Sequence, residues 1–376
     1  MVRDKIVKAL QKATGETEAS LEIPENSEHG DYSTNVAMIL AKKLKKGPRE
    51  LASEIKEKIL RDKDIKRLCE KVEIAGPARL PAGQGFINFW LKKEVLQDNL
   101  ASVLKEKDKY GSSTVGRGKT VLVEYSSPNI AKRFGIGHLR STIIGQAIYN
   151  LYQFLGYKTI GENHLGDWGT QFGAILRQIS NDKLQMTNLT IDELEKLYVN
   201  FNKEAEGKPE LWEEARSWFK KLEAGDKKAR EIWEKVREIS LAEFERVYTR
   251  LGVKIDHAHG ESFYEDKMGS IVKEFRDKGL SKKSQGAEIV ELADLPPAML
   301  VKSDGATTYF ARDLAALKFR LEKWHPEAII YEVGSDQILH FKQVFASASA
   351  IGWVKNQRLI HIAHGLIRFG EGKMST

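Results

Sequence analysis

A single cysteine, Cys69, stands in the 376 residues. That scarcity excludes an internal disulfide framework and any cysteine-cluster metal centre. His257 and His259 are too few to build a zinc site with it. No apolar run approaches the roughly 18 residues that a membrane-spanning helix needs. The opening Met1-Val2-Arg3-Asp4-Lys5 lacks the apolar stretch of a secretion signal. Together these absences predict a protein of the reducing cytoplasm with no membrane partner. No self-similarity recurs at a period of roughly 20–50 residues, which excludes a repeat array, and there is no low-complexity tract.

What is present is ordinary for a globular chain: 41% hydrophobic and 30% charged residues, enough length for more than one domain and a sizeable core. The net charge of +7 suits a polyanionic partner held through phosphate contacts. Charge by itself does not separate an RNA-binding protein from the many basic proteins that bind none.

Residues 1–110 read as a small α+β unit. Asn35 to Leu44 and Pro48 to Leu60 carry apolar residues at helical spacing, among them Leu51, Ile55 and Ile59. Gly85 to Leu91 alternates as a strand does, and Val95 to Leu104 returns to the helical period. The Gly/Ser-rich stretch 111–118 is read as a linker. From residue 119 the pattern changes. Thr120–Tyr125 and Tyr157–Glu162 read as strands flanking an amphipathic helix, Leu139–Leu155, closed by Gly156. Strand, helix, strand at this spacing predicts a βαβ unit with a parallel sheet. Residues of about 174–280 are rich in Lys, Glu and Trp and helical in period. The tryptophans at 212, 218 and 233 are expected to pack between helices. Strands at 287–292, 298–302, 328–333 and 358–363 and helices at 313–324 and 337–351 then resume the alternation. The fold class is therefore α/β: one doubly wound domain over 119–376, split by a helical insertion, behind an N-terminal α+β domain.

The chemistry is expected between the first strand of that domain and its helix, at Ser126 to Leu139. Ligands bind at the carboxyl ends of strands in an open α/β sheet, and a helix N-terminus offers free N–H groups and a positive dipole end to phosphate. Gly135 and Gly137 allow close backbone approach, and His138 can donate to a phosphate or ribose oxygen.

Gly135-Ile136-Gly137-His138 resembles the His-x-Gly-His signature of class I aminoacyl-tRNA synthetases. Glu124 to Lys132, His164 to Gly173, Tyr309 to Asp313 and Gln337 to Phe341 are similar to segments of the arginine-specific family within that class. Gly372-Lys373-Met374-Ser375-Thr376 is similar to the start of its Lys-Met-Ser-Lys-Ser loop. The matches run in order over 119–376, and the first 110 residues resemble the family's tRNA-contacting N-terminal domain. The resemblance implies a ligase that joins L-arginine to tRNA(Arg) through arginyl-adenylate, with ATP as substrate and Mg2+ beside it, acting as a monomer. It assigns catalysis to Lys132, His138 and Lys373. ATP falls to Gly135, Gly137, His138, Lys373, Met374 and Ser375. Arginine falls to Glu124, Ser126, Asn129, Tyr309, Asp313 and Gln337. Phe86 and Asn88 align with tRNA-contacting positions, and no residue is assigned to a metal.

Two departures stand out. Gly135 replaces the first histidine of the signature, and the loop's second lysine is absent; Lys132 is a candidate substitute. The chain is expected to stop inside this loop, without the family's anticodon-binding domain. Rival readings are a non-catalytic tRNA-binding relative, an inactive fragment, or a synthetase for another amino acid. Asp313 is itself open between two roles, a guanidinium partner and a helix N-cap. Lys42, Lys43, Lys45 and Lys46 read as a solvated face or an RNA contact.

Overall fold

The computed structural model describes residues 2–17, 19–75, 85–181, 189–365, 367–369 and 372–373, and the chain divides into two compact units, Met1–Ser112 and Ser113–Thr376. Among the described residues no helix is long and apolar enough to cross a membrane.

The first unit runs α1 (Val2–Thr14), β1 (Tyr32–Thr34), α2 (Val36–Leu44), α3 (Pro48–Ile59), α4 (Lys63–Leu68), β2 (Cys69–Ile74), β3 (Ile87–Leu91) and α5 (Lys93–Glu106). Its sheet is antiparallel, ordered β1-β3-β2. Helices α1 to α4 bury apolar faces, Leu51, Ala52, Ile55 and Ile59 on α3 for one, whereas α5 buries none of its residues and leaves Leu96, Leu100 and Leu104 exposed. The central strand β3 does not alternate: Ile87, Asn88, Phe89 and Leu91 are all buried. Asn88 is tolerated there because its Oδ1 accepts from Ser33 Oγ at 2.7 Å. Cys69 is buried, and burial together with Asp31 pushes its thiol up to about 11. In the lysine run, Lys43 pairs with Glu16 and Lys46 with Glu54; both lysines are exposed and both glutamates half-buried.

The second unit opens with β4 (Thr120–Glu124), α6 (Ile136–Phe154) and β5 (Lys158–Glu162). Five helices follow: α7 (Thr170–Asn181), α8 (Ile191–Glu204), α9 (Pro209–Glu223), α10 (Lys227–Leu251) and α11 (Glu265–Asp277). Next come β6 (Ser281–Ser284), β7 (Ala287–Leu292), β8 (Leu295–Val301), α12 (Tyr309–Trp324), β9 (Ala328–Gly334), α13 (Ile338–Ala350) and β10 (Arg358–His364), then the short β11 (Arg368–Phe369) and β12 (Gly372–Lys373). Four strands form one parallel sheet in the order β10-β9-β4-β5. The order reverses between β4 and β9, which makes a topological switch point there.

Because the sheet is covered on both faces, its inner strands are apolar without alternation. Leu122 and Ile329 enter one core with α11, α12 and α13, while Val121, Val123 and Ile330 enter another beneath α6. Each such side chain stabilises the fold by about 1.5–3 kcal/mol.

Two expectations are corrected. The strands at 287–292 and 298–302 are not part of the parallel sheet; with β6 they form a separate antiparallel one, ordered β6-β7-β8. Their runs carry no helix between them, so they pair with each other as hairpins do. And α6 does not bury its apolar stripe. Its buried residues are Ser141, Thr142, Gly145, Gln146 and Tyr149, while Ile143 and Leu151 are exposed. Helix and strand approach so closely that a Cβ on Gly145 would lie 2.2 Å from Tyr125 Cβ. The small and polar side makes that approach, and its hydroxyls find partners in the site.

Candidate active site at the switch point

A cavity of about 660 Å³ opens where the parallel strands end. Its walls come from the β4–α6 turn (Glu124, Ser126, Ser127, Asn129, Gly137, His138, Ser141), the segment after β5 (His164, Gly166), α12 (Tyr309, Asp313) and the β9–α13 and β10 ends (Glu332 to Gly334, Asp336, Gln337, His340, His364). Glu261 and Phe341 complete it. Among these side chains five are carboxylates, Glu124, Glu261, Asp313, Glu332 and Asp336, and none is Lys or Arg.

The turn after β4 is held in unusual backbone. Ser126, Ser127 and Ala131 have positive φ values of 76°, 47° and 63°, a conformation that costs non-glycine residues free energy. A hydrogen-bonded frame holds it. Ser126 N donates to Ser141 Oγ at 3.1 Å, and Ser141 Oγ donates to the Glu332 carbonyl at 2.9 Å. Thr142 Oγ1 donates to Ser126 Oγ at 2.9 Å, and Tyr248 OH lies 2.7 Å from the same oxygen. Asn163 accepts from Ser127 N and donates to Tyr248 OH, each at 3.0 Å. Ala131 N donates to Ser240 Oγ at 2.8 Å. Tyr248 and Ser240 lie on α10, so the helical insertion props the turn. Ser126, 4% exposed, thus spends its hydroxyl on the frame. Asn129 sits against Gly166, where a Cβ would fall 1.8 Å from Asn129 Oδ1.

Gly135 is the N-cap of α6, in extended backbone, and is not among the cavity-lining residues. Gly137 and His138 are. His138 Nδ1 is buried without a hydrogen-bond partner, and burial, then the charge of Lys132, lowers the affinity of the ring for a proton. Lys132 does not line the cavity; its ammonium lies 5.0 Å from the centroid of the Tyr198 ring.

Asp313 is not a cap. Thr308 caps α12, its Oγ1 accepting from Ala311 N, and Asp313 lies a full turn inside the helix. Its Oδ2 is 2.6 Å from His340 Nε2 and its Oδ1 3.6 Å from His164 Nε2. Burial raises its pKa, but the hydrogen bond and charge of His340, with His164 and Arg320, outweigh that and hold it below the usual aspartate range. Tyr309, 63% exposed, packs its ring 5.0 Å from that of His340. Gln337 lines the same wall.

Glu124 reaches the cavity with its charge already engaged. Arg320, 1% exposed, contacts Glu124 Oε2 through Nη1 and Glu162 Oε2 through Nε at 2.6 Å. Glu162 Oε1 in turn takes His259 Nδ1 at 2.9 Å and Tyr264 OH at 3.2 Å. Glu124 is part of the cavity wall, while Glu162 and the Arg320 guanidinium lie behind it and do not line the cavity.

The segment His164–Gly173 is mostly scaffold. Asp167, fully buried, accepts from Ser262 N and Oγ, both at 2.8 Å, and pairs with Arg237 at 3.4 Å. Trp168 packs on Phe219 and Trp233. Trp212 packs on Phe201, and Trp218 sits under Lys221.

Glu332, on β9, has its Oε1 2.8 Å from His364 Nδ1 on β10. Its Oε2 is buried with no hydrogen-bond partner. Burial raises its pKa, opposed by the nearby Ser141 hydroxyl and His364.

Of the loop at the C-terminal end, Met374 and Ser375 lie outside the described residues, and Lys373 is described only as backbone, paired with Arg368. In the first unit Asn88 is 3% exposed and turned into the fold, which corrects its assignment as a tRNA contact; Phe86 is half-buried. Sequence reasoning did not assign His164, Glu261, Arg320, Glu332, Asp336, His340 or His364. His164 and His340 stood inside the quoted motifs; the others carry no motif.

Residues 99–376 match the family described as tRNA synthetases class I (R), catalytic domain, and residues 1–91 match the arginyl tRNA synthetase N terminal domain. The chain belongs to the arginyl-tRNA synthetases. It is 45% identical to the arginine–tRNA ligase of Clostridium botulinum (strain Loch Maree / Type A3) over 385 residues, spanning 100% of this chain and 65% of that protein. With the ligase of Clostridioides difficile (strain 630) the identity is 44%, over 96% of this chain and 62% of the relative. This chain thus spans under two thirds of the length of the curated relatives it matches. The crystal structure of arginyl-tRNA synthetase from Plasmodium falciparum superposes with a TM-score of 0.74 at 27% identity, covering 97% of this chain and 64% of that one. The Thermus thermophilus arginyl-tRNA synthetase gives 0.77 at 20% identity, over 100% and 67%, a likeness of fold.

Proposed function

We propose that this synthetase chain takes part in arginine–tRNA ligation. The observation that carries the reading is the cavity itself: five carboxylates and no lysine or arginine among its described side chains, beside the N-terminus of α6. A guanidinium offers five donors and no acceptor, so it suits an acidic pocket. The helix terminus suits phosphate.

In this reading Asp313 receives the arginine guanidinium, with Tyr309 and Gln337 on either side. Asn129, Ser126 and Glu124 shape the floor. Glu124 contributes mainly by what it holds in place, since Arg320 already meets its charge. Gly137 and His138 take the ATP phosphates, His138 donating to a phosphate oxygen through the ring nitrogen that carries its proton. Gly135 caps the helix. Lys132, whose charge is felt at His138, neutralises the departing pyrophosphate in place of the absent loop lysine, and Lys373, Met374 and Ser375 belong to the same phosphate-binding group. The arginine carboxylate attacks the α-phosphorus, and pyrophosphate leaves. The 2′-hydroxyl of the terminal tRNA adenosine then attacks the arginyl carbonyl carbon, and AMP leaves. Positioning and charge neutralisation are the protein's share of such chemistry. In the N-terminal unit Phe86 is the remaining candidate for a tRNA contact. The enzyme is proposed to work as a cytoplasmic monomer.

Among the described residues no group of three or more His, Cys, Asp or Glu side chains is arranged to hold a metal ion. Magnesium would arrive on the ATP phosphates, keeping several of its own waters, and no step is assigned to it.

The test is pyrophosphate exchange in the chain extended to the length of its relatives. Exchange should require arginine and tRNA(Arg) together, and lysine should not replace arginine. A folded protein that exchanges nothing is a non-catalytic relative, and one that exchanges with another amino acid has another specificity; either result refutes the proposal.

A further inference from the structure

The cavity extends beyond the groups used so far. In the sheet order β10-β9-β4-β5 the arginine-side group His164 follows β5, and α6 starts above the switch point between β4 and β9. The opposite wall is made by the ends of β9 and β10. With strands about 4.8 Å apart, β5 and β10 are separated by roughly 14 Å across the mouth. A nucleotide whose phosphates lie at His138, with arginine toward β5, has its nucleoside half over β9 and β10.

That wall holds the pair Glu332 and His364, both lining the cavity. The Glu332 side chain has no solvent exposure, and that of His364 is 10% exposed. The carboxylate oxygen Oε1 lies 2.8 Å from His364 Nδ1, and an ionised carboxylate can only accept, which calls for the proton on Nδ1. A proton fixed on Nδ1 leaves Nε2 of the neutral ring as an acceptor, since the tautomer is set by the bond its other nitrogen makes. Two further contacts fix the wall. Arg140, on α6, donates to the Gly365 carbonyl, and His361 Nε2 lies 3.1 Å from the Val333 carbonyl. The mechanism above uses neither Glu332 nor His364, and a fully buried carboxylate is costly to keep without a task.

We infer that His364 Nε2 accepts a hydrogen bond from the nucleoside half of ATP, and that Glu332 is the positioning residue that fixes the His364 tautomer. The inference rests on the nucleotide reading of the cavity. The donor is a ribose hydroxyl or the adenine amine. Both are hydrogen-bond donors, and analogues that lack one or the other separate them.

The experiment is calorimetric titration of ATP and, separately, of arginine into the wild-type chain and into His364→Ala, Glu332→Leu and Glu332→Gln. Nitrogen NMR of the histidine rings reports the tautomer, and thermal unfolding confirms that each variant folds. His364→Ala and Glu332→Leu should each weaken ATP about tenfold, the value of one lost hydrogen bond, with arginine affinity unchanged. Glu332→Gln keeps an acceptor and should retain most of the ATP affinity. The His364 ring should carry its proton on Nδ1 in the wild type and lose that preference in Glu332→Leu. One among 2′-deoxy-ATP, 3′-deoxy-ATP and inosine triphosphate should bind the wild type weakly and lose nothing more in His364→Ala, which names the donor. Unchanged ATP affinity in His364→Ala overturns the inference. So does a loss shared equally by ATP and arginine, or a tautomer indifferent to Glu332→Leu. A wild-type chain that binds arginine and no ATP removes the nucleotide reading, and the inference falls with it.

Discussion

Asp313 and Glu124 are both acids of the same cavity, yet their surroundings give them different work. Asp313 meets two histidines and retains acceptor capacity, because a carboxylate offers about four lone-pair sites. Glu124 is half of a buried ion cluster whose cation, Arg320, is shared with Glu162. Removing one partner of such a cluster leaves buried charge uncompensated. Glu124→Gln should therefore lower folding stability by about 3 kcal/mol, read as a shift in the urea midpoint at unchanged slope. A stability change within about 0.5 kcal/mol, the range of ordinary surface substitutions, would show that Arg320 does not depend on Glu124. That both line one cavity was legible through the family resemblance. Their division of labour was not, because Arg320 lies seven residues beyond Asp313 in a run with no motif, and only the helix turn brings it under β4. Asp313 was ambiguous from sequence for a similar reason. A strand-to-helix junction suggests a cap, and Thr308, five residues earlier, takes that role.

At the scale of the element, α6 carries the lesson about periodicity. Its apolar residues repeat as an amphipathic helix does, and that spacing places the helix correctly between β4 and β5. It does not name the buried face. The close approach to Tyr125 needs the absent side chain of Gly145, and Ser141 and Thr142 on the same side supply the hydroxyls that bond the Ser126–Ser127 turn. Gly145→Ala, a substitution that favours helix in isolation, should here cost about 1–3 kcal/mol through overpacking. Leu151→Ser, on the exposed side, should stay within about 0.5 kcal/mol. Chemical denaturation of the two variants checks the assignment, and the reverse order would place the apolar stripe inward after all. The strands β7 and β8 mark the other limit. Their sequences are strand-like, but local pattern cannot tell a parallel partner far along the chain from an antiparallel neighbour. In the first unit, β3 was legible as a strand and its burial on both faces was not, since Asn88 reads as a surface residue until Ser33 is placed opposite it.

For the whole molecule, the α/β class, the parallel sheet and a cavity at its switch point all follow from the strand–helix–strand rhythm and from where helices begin. The acidity of the cavity does not, because its five carboxylates come from four separate segments of the chain. That acidity is the centre of the functional account, and it is tested most directly by equilibrium binding. Arginine and its neutral isostere citrulline are titrated into the chain, with Asp313→Asn alongside. The account predicts saturable arginine binding and no comparable citrulline binding. It also predicts a loss in Asp313→Asn of roughly two to three orders of magnitude, from breaking a charged pair worth about 3–5 kcal/mol. Equal affinity for arginine and citrulline, or an Asp313→Asn variant that binds arginine as the wild type does, would contradict it.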